Sequence, residues 1–129
     1  MESKTTNKYL YEIYKLEKAN GNTTISEIAK SLNISLSPAS KMVVKLRSNG
    51  YVNFKRYGTV TLTDKGAKIG KHFTYTHQIL VTFLQVIGVE EKKIVQEVNN
   101  IELNLSNEVV NKIKVFLENN GYIDQIKNV

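Results

Sequence analysis

Between Ser35 and Arg47, short hydroxyl and cationic side chains recur at a spacing that a helix would gather on one side. Ser37, Ser40, Lys41, Val44 and Lys45 fall together, with Ser35 at the start of the run and Arg47 near its end. Hydroxyls exchange hydrogen bonds with base edges and phosphates, and Lys41 can reach the acceptors of a guanine. Lys45 and Arg47 suit the phosphate oxygens that set register. A little further on, Lys55 and Arg56 are candidates for the flanking backbone or minor groove. Most helical lysines do no more than face water, so this chemistry depends on the elements that carry it.

Those elements have the right order. An amphipathic first helix is expected from about Thr6 to Ala19, with Tyr9, Leu10, Ile13, Tyr14 and Leu16 at helical spacing and Asn20-Gly21-Asn22 stopping it. A second, barely two turns long, opens with Ser26 as N-cap and ends at Leu32, before the turn Asn33-Ile34-Ser35. The third starts from Ser35 or Ser37, tolerates Pro38 in its first turn and ends at Asn49-Gly50. Its Ala39, Met42, Val43 and Leu46 point inward. Two short helices across a tight turn, preceded by a longer one, form a helix-turn-helix pattern.

Two β-rich runs follow, 51–56 and 59–62, around Tyr57-Gly58, and read as a hairpin wing. Thr63 then caps a long helix, about 64–87, with an apolar stripe of Ile69, Phe73, Leu80, Phe83, Leu84 and Ile87. Gly88 closes it. Further helices are expected over about 90–103 and, capped by Ser106, about 107–119. The fold class is therefore mainly α with a small β-hairpin wing: a winged helix-turn-helix domain (1–72) followed by a helical dimerisation domain (73–129).

The chain has 129 residues and a net charge of +6, carried unevenly. Residues 1–75 hold 13 Lys or Arg against 5 Asp or Glu, whereas residues 76–129 hold 5 against 7. Excess cation on one module favours a polyanionic partner, because each neutralised phosphate releases condensed counterions. A Lys- and Asn-rich composition would supply some of that charge without any function. The absence of cysteine excludes disulfides, thiolate metal sites and a cysteine nucleophile, and fits a cytoplasmic location. The most apolar stretch, Ile79 to Val89, is too short to span a bilayer, so no membrane insertion is expected. The catalytic inventory is poor: His72, His77, Asp64 and Asp124, with no glycine-rich phosphate loop, so the chain reads as a non-enzyme.

The helix-turn-helix, the glycine-hinged wing and the following helices with His and Glu resemble the diphtheria toxin repressor family, particularly its manganese transport regulator branch. The resemblance rests on Tyr9-Leu10-Tyr11-Glu12-Ile13-Tyr14, on Ser40 to Leu46 and on Tyr57-Gly58 with Leu62-Thr63-Asp64-Lys65-Gly66. It continues through Ile69-Gly70-Lys71, His77-Gln78-Ile79-Leu80, Phe83-Leu84, Ile87-Gly88-Val89, Ile101-Glu102 and Leu105-Ser106. It implies a dimeric winged-helix transcription factor that represses metal-uptake genes when Mn²⁺ or Fe²⁺ is bound.

At the positions that hold metal in that branch, this chain has Lys8, Tyr11, His77, Asn99, Glu102 and Leu103. Only His77 and Glu102 keep a ligand type, and a further carboxylate position of the family is Val81. A hard divalent ion wants several oxygen or imidazole ligands, and an ammonium among them repels it. No metal cofactor is expected. Lys8, with the Tyr11 hydroxyl, is expected to replace the cation by pairing with Glu102, while His77 or Asn99 satisfies the remaining polar atoms. The expected function is a transcriptional regulator, a repressor by family, acting as a homodimer on a pseudo-palindromic operator in double-stranded DNA. The apolar faces of the last helices support the dimer. The alternatives are an Mn²⁺- or Fe²⁺-responsive repressor with a site rebuilt on His77 and Glu102, and a winged-helix protein-interaction module.

Overall fold

A computed structural model describes residues 3–55 and 58–123, which divide into two compact units between Lys71 and His72. In the first, helix α1 spans Lys4–Asn20. It starts earlier than the apolar spacing indicates because the Ser3 hydroxyl accepts a hydrogen bond from Thr6 N–H, and Gly21 ends it at φ +83°. A two-residue strand, β1 (Thr23–Thr24), comes next and was not expected.

Helix α2 covers Ile25–Leu32 and α3 covers Leu36–Ser48, followed by strands β2 (Val52–Phe54) and β3 (Thr59–Leu62). The sheet is antiparallel with order β1-β3-β2; Phe54 lies opposite Val60, and Thr23 pairs with Val60 from the other side. Leu10 and Ile13 of α1, Ile28 of α2, Val43 and Leu46 of α3, and Val52 and Val60 of the sheet are fully buried together. Each contributes about 2 kcal/mol through removal of its side chain from water.

Helix α4 runs Asp64–Val86, α5 Glu91–Ile101 and α6 Asn107–Asn119. Thr63 caps α4 as expected: its hydroxyl accepts from Gly66 N–H at 3.2 Å. The start of α4 packs tightly within the first unit. A Cβ on Gly66 would overlap the Tyr51 carbonyl, and one on Gly70 would overlap the Tyr14 side chain. In the second unit, Tyr75 and Ile79 of α4 pack with Val110 and Leu117 of α6, and Leu80 and Leu84 pack with Ile94 and Val98 of α5. Ile87 does not continue the buried stripe: the helix has ended, Gly88 turns the chain at φ +90°, and Ile87 is exposed.

Candidate nucleic-acid interface

The placement of α3 follows from the chemistry of the turn before it. Helix α2 is capped by Thr24, not by Ser26 as its sequence position indicates. The Thr24 hydroxyl accepts from Glu27 N–H at 3.2 Å and meets the Glu27 carboxylate at 3.1 Å, which leaves Ser26 inside the first turn. Asn33 then takes the left-handed conformation at φ +56°, and Ile34 N–H reaches back to the Ala29 carbonyl at 2.9 Å. Ser35 occupies the N-cap of α3 without a side-chain capping bond.

The face expected from spacing is presented outward. Ser35, Ser37, Lys41, Val44, Lys45 and Arg47 are exposed and Ser40 is half-buried, while Ala39, Val43 and Leu46 are buried on the other side. Sequence reasoning missed Leu36, which is 56% exposed in the first turn of α3. Its signal was available: Leu36, Ser40 and Val44 follow one another at four-residue spacing. No Asp or Glu occurs from Ile28 to Thr63, a segment that contains Lys30, Lys41, Lys45, Arg47, Lys55 and Arg56. The segment thus brings cationic side chains to this face and no acid of its own.

The wing is tied to this helix and to α1. The Arg47 guanidinium lies 5.8 Å from the centre of the Phe54 ring, a cation–π contact between α3 and β2. The Glu17 carboxylate accepts from Leu62 N–H at 2.7 Å, which satisfies a strand donor from outside the ladder. Lys65 donates to the Asn49 carbonyl at 3.1 Å. Lys55 is exposed and its N–H bonds Thr59 O at 2.9 Å, whereas Arg56 and Tyr57 lie outside the described residues, as does Asp124.

The positions compared with metal ligands behave differently. His77 Nδ1 stands 2.7 Å from Glu102 Oε2, with the Glu102 side chain 7% exposed and that of His77 35%. His77 is the expected polar neighbour that bonds Glu102 within the second unit. Asn99 is exposed, as is Lys8 on α1 of the first unit, and the bond that the second unit itself supplies to Glu102 is that of His77. Tyr11 is buried with the Lys15 ammonium 4.2 Å from its ring centre, and Leu103 is half-buried. One imidazole and one carboxylate fall short of the donor set a hard divalent ion requires, and no group of three or more His, Cys, Asp or Glu assembles among the described residues. The donors present do not fit such an ion.

Several apolar side chains of the second unit face outward. Val95 is 65% exposed, and Val109, Val115, Phe116 and Tyr122 are exposed along or just after α6. Such surface normally marks an association site.

Two family models match the chain. One describes the iron dependent repressor N-terminal DNA binding domain and covers residues 1–60; the other describes the iron dependent repressor metal binding and dimerisation domain and covers residues 63–122. The HTH-type transcriptional regulator MntR of Shouchella clausii (strain KSM-K16) is 36% identical over 125 residues, which span 94% of this chain and 87% of that protein. The MntR regulator of Bacillus subtilis (strain 168) is 40% identical over 105 residues, 81% of this chain and 74% of that one. Among solved structures, a manganese-dependent transcriptional repressor in complex with manganese superposes with a TM-score of 0.79 at 26% identity, covering 92% of this chain and 53% of the other. IdeR from T. acidophilum gives 0.75 at 23% identity, covering 94% and 56%. The chain thus spans about half the length of those two structures.

Proposed function

Since the chain belongs to the iron-dependent repressor family, we propose that it represses transcription as a homodimer on a pseudo-palindromic operator, and that it does so without a divalent ion. The observation that carries the DNA reading is the acid-free run whose hydroxyls and ammonium groups stand exposed on α3. In this reading α3 enters the major groove. Ser37, Ser40, Lys41 and Val44 meet base edges, Ser35, Lys45 and Arg47 engage phosphates, and Lys55 with Arg56 grips the neighbouring backbone. Residues 1–72 would bind DNA and residues 73–129 would dimerise through the exposed apolar side chains of α5 and α6. No helix of the described residues is long and apolar enough to cross a membrane, and we place the regulator in the cytoplasm, where its operator is.

Metal independence is supported by the replaced positions. Lys8, Tyr11, Asn99 and Leu103 stand at four ligand positions of the family, and the two donors that remain, His77 and Glu102, satisfy each other. An ammonium at one ligand position disfavours a second cation nearby. Operator fragments selected from random DNA should shift in the presence of chelator as strongly as with Mn²⁺. A shift that vanishes in chelator and returns with Mn²⁺ overturns this part of the reading. It would favour the second reading, a metal-responsive repressor with a rebuilt site, to which the short His77–Glu102 separation is the one favourable observation.

A further inference from the structure

We propose that the cleft between α4 and α6 binds a small oxyanion, a phosphate monoester or a carboxylate, through the Lys114 ammonium and the side-chain amides of Asn107 and Asn111. The cavity has a volume of about 190 Å³ and is lined by His72, Tyr75, Asn107, Val110, Asn111 and Lys114, all within the second unit. Drug-sized ligand pockets run to roughly 300–1,000 Å³, so this one suits a ligand of few atoms.

Its chemistry is one-sided. Val110 and the Tyr75 ring are buried and give an apolar base, and no carboxylate lines the cavity. The His72 ring stands with Nε2 3.0 Å from Asn107 Oδ1; with the ring as donor the Asn107 carbonyl is satisfied, and its amide remains a donor. Asn111 is exposed one turn later and brings a second amide. Asn107 is also the first residue of α6, where the helix presents the positive end of its dipole.

The Lys114 ammonium sits 5.6 Å from the centre of the Tyr75 ring. The neighbouring Tyr75 is the main cause that raises its pKa above the ordinary lysine value, and Glu118, a turn further along α6, adds to the shift. Lys114 and the Tyr75 ring thus stand together at the cavity. This cation is not a by-product of bulk charge, because residues 76–129 hold more acids than bases. The site is separate from the α3 face and from the His77–Glu102 pair, and binding to it does not depend on the DNA reading.

The experiment follows ¹H–¹⁵N spectra of the full chain during titration with inorganic phosphate and, separately, with malonate, at an ionic strength held constant with chloride. Saturable shifts centred on 107–114 are expected with at least one of the two, and the one that saturates identifies the class. Lys114→Gln should weaken the association about tenfold, the scale of one lost charge-assisted hydrogen bond. Lys112→Gln, on the exposed side of the same helix, should leave it unchanged. Asn111→Asp places a carboxylate at the cavity without removing packed atoms and should abolish binding. Unsaturable shifts spread over many lysines, or equal behaviour of the Lys114 and Lys112 variants, overturn the proposal.

Discussion

The face of α3 and the neighbourhood of Glu102 are both built from polar side chains on helices, yet they spend those groups in opposite ways. On α3 Ser35, Ser37, Lys41 and Lys45 are exposed, and no carboxylate among the described residues pairs with either ammonium group. At Glu102 the carboxylate is buried and bonded to the imidazole of the same unit. A polar group that is to recognise a partner must be left incompletely satisfied until that partner arrives, whereas one that has found an internal partner becomes part of the fold. By that criterion the proposed reading assigns α3 to a ligand and the His77–Glu102 pair to the fold.

The comparison is tested most severely by charge reversal on α3. Lys41→Glu with Lys45→Glu should lower operator affinity by at least about 100-fold at moderate salt, because two attractive contacts become repulsive. Both side chains are exposed, so the thermal midpoint should move by no more than about 2 °C. Fluorescence anisotropy with a labelled operator and a melt followed by circular dichroism give the two numbers. Unchanged affinity for every oligonucleotide tried would remove α3 from the interface.

How much of this contrast could be read beforehand differs between the two regions for a physical reason. Helical period and cap chemistry are local, and they identified the buried and exposed sides of α3, the Thr63 cap and the Ser106 cap, whose hydroxyl accepts from Val109 N–H. Thr24-Ile25-Ser26-Glu27 is also a local signal, a capping box, in which Thr24 and not the expected Ser26 is the cap. Strand β1 offers no such signal: two residues have no period, and their partners Thr59 and Val60 are remote in sequence. The partner of Glu102 is equally non-local. His77 and Lys8 are both polar residues far from Glu102 in the chain, and periodicity alone does not choose between them.

The pair itself supplies the next test. His77→Ala leaves the Glu102 carboxylate buried without its imidazole partner. A lost hydrogen bond to a charged group costs about 1–3 kcal/mol, and the partial exposure of His77 admits water and keeps the loss near the lower end. Urea unfolding should show a destabilisation of about 1–2 kcal/mol with an unchanged slope. Operator affinity per folded molecule should change by less than about threefold, the equivalent of some 0.6 kcal/mol. If stability holds while metal-stimulated DNA binding is lost, the pair is a working ligand set and the contrast with α3 fails.

The smallest effect is the most informative about recognition. Val44 is the one apolar side chain among the α3 residues placed at base edges, and it is 45% exposed on a helix that has a full apolar face elsewhere. Exposure of that kind has no packing benefit, but two methyl groups in a major groove can meet the C5 methyl of a thymine. Val44→Ala should therefore leave the unfolding free energy within about 0.5 kcal/mol of the parent. It should cost only about two- to fivefold in affinity for the preferred operator, since one small apolar contact contributes less than a bidentate hydrogen bond. That loss should be confined to one base pair per half-site, where selection from random DNA would lose its preference for thymine. A uniform drop across all sequences would instead make Val44 a spacer that holds α3 at the right distance, and sequence reading would then rest on Ser37, Ser40 and Lys41.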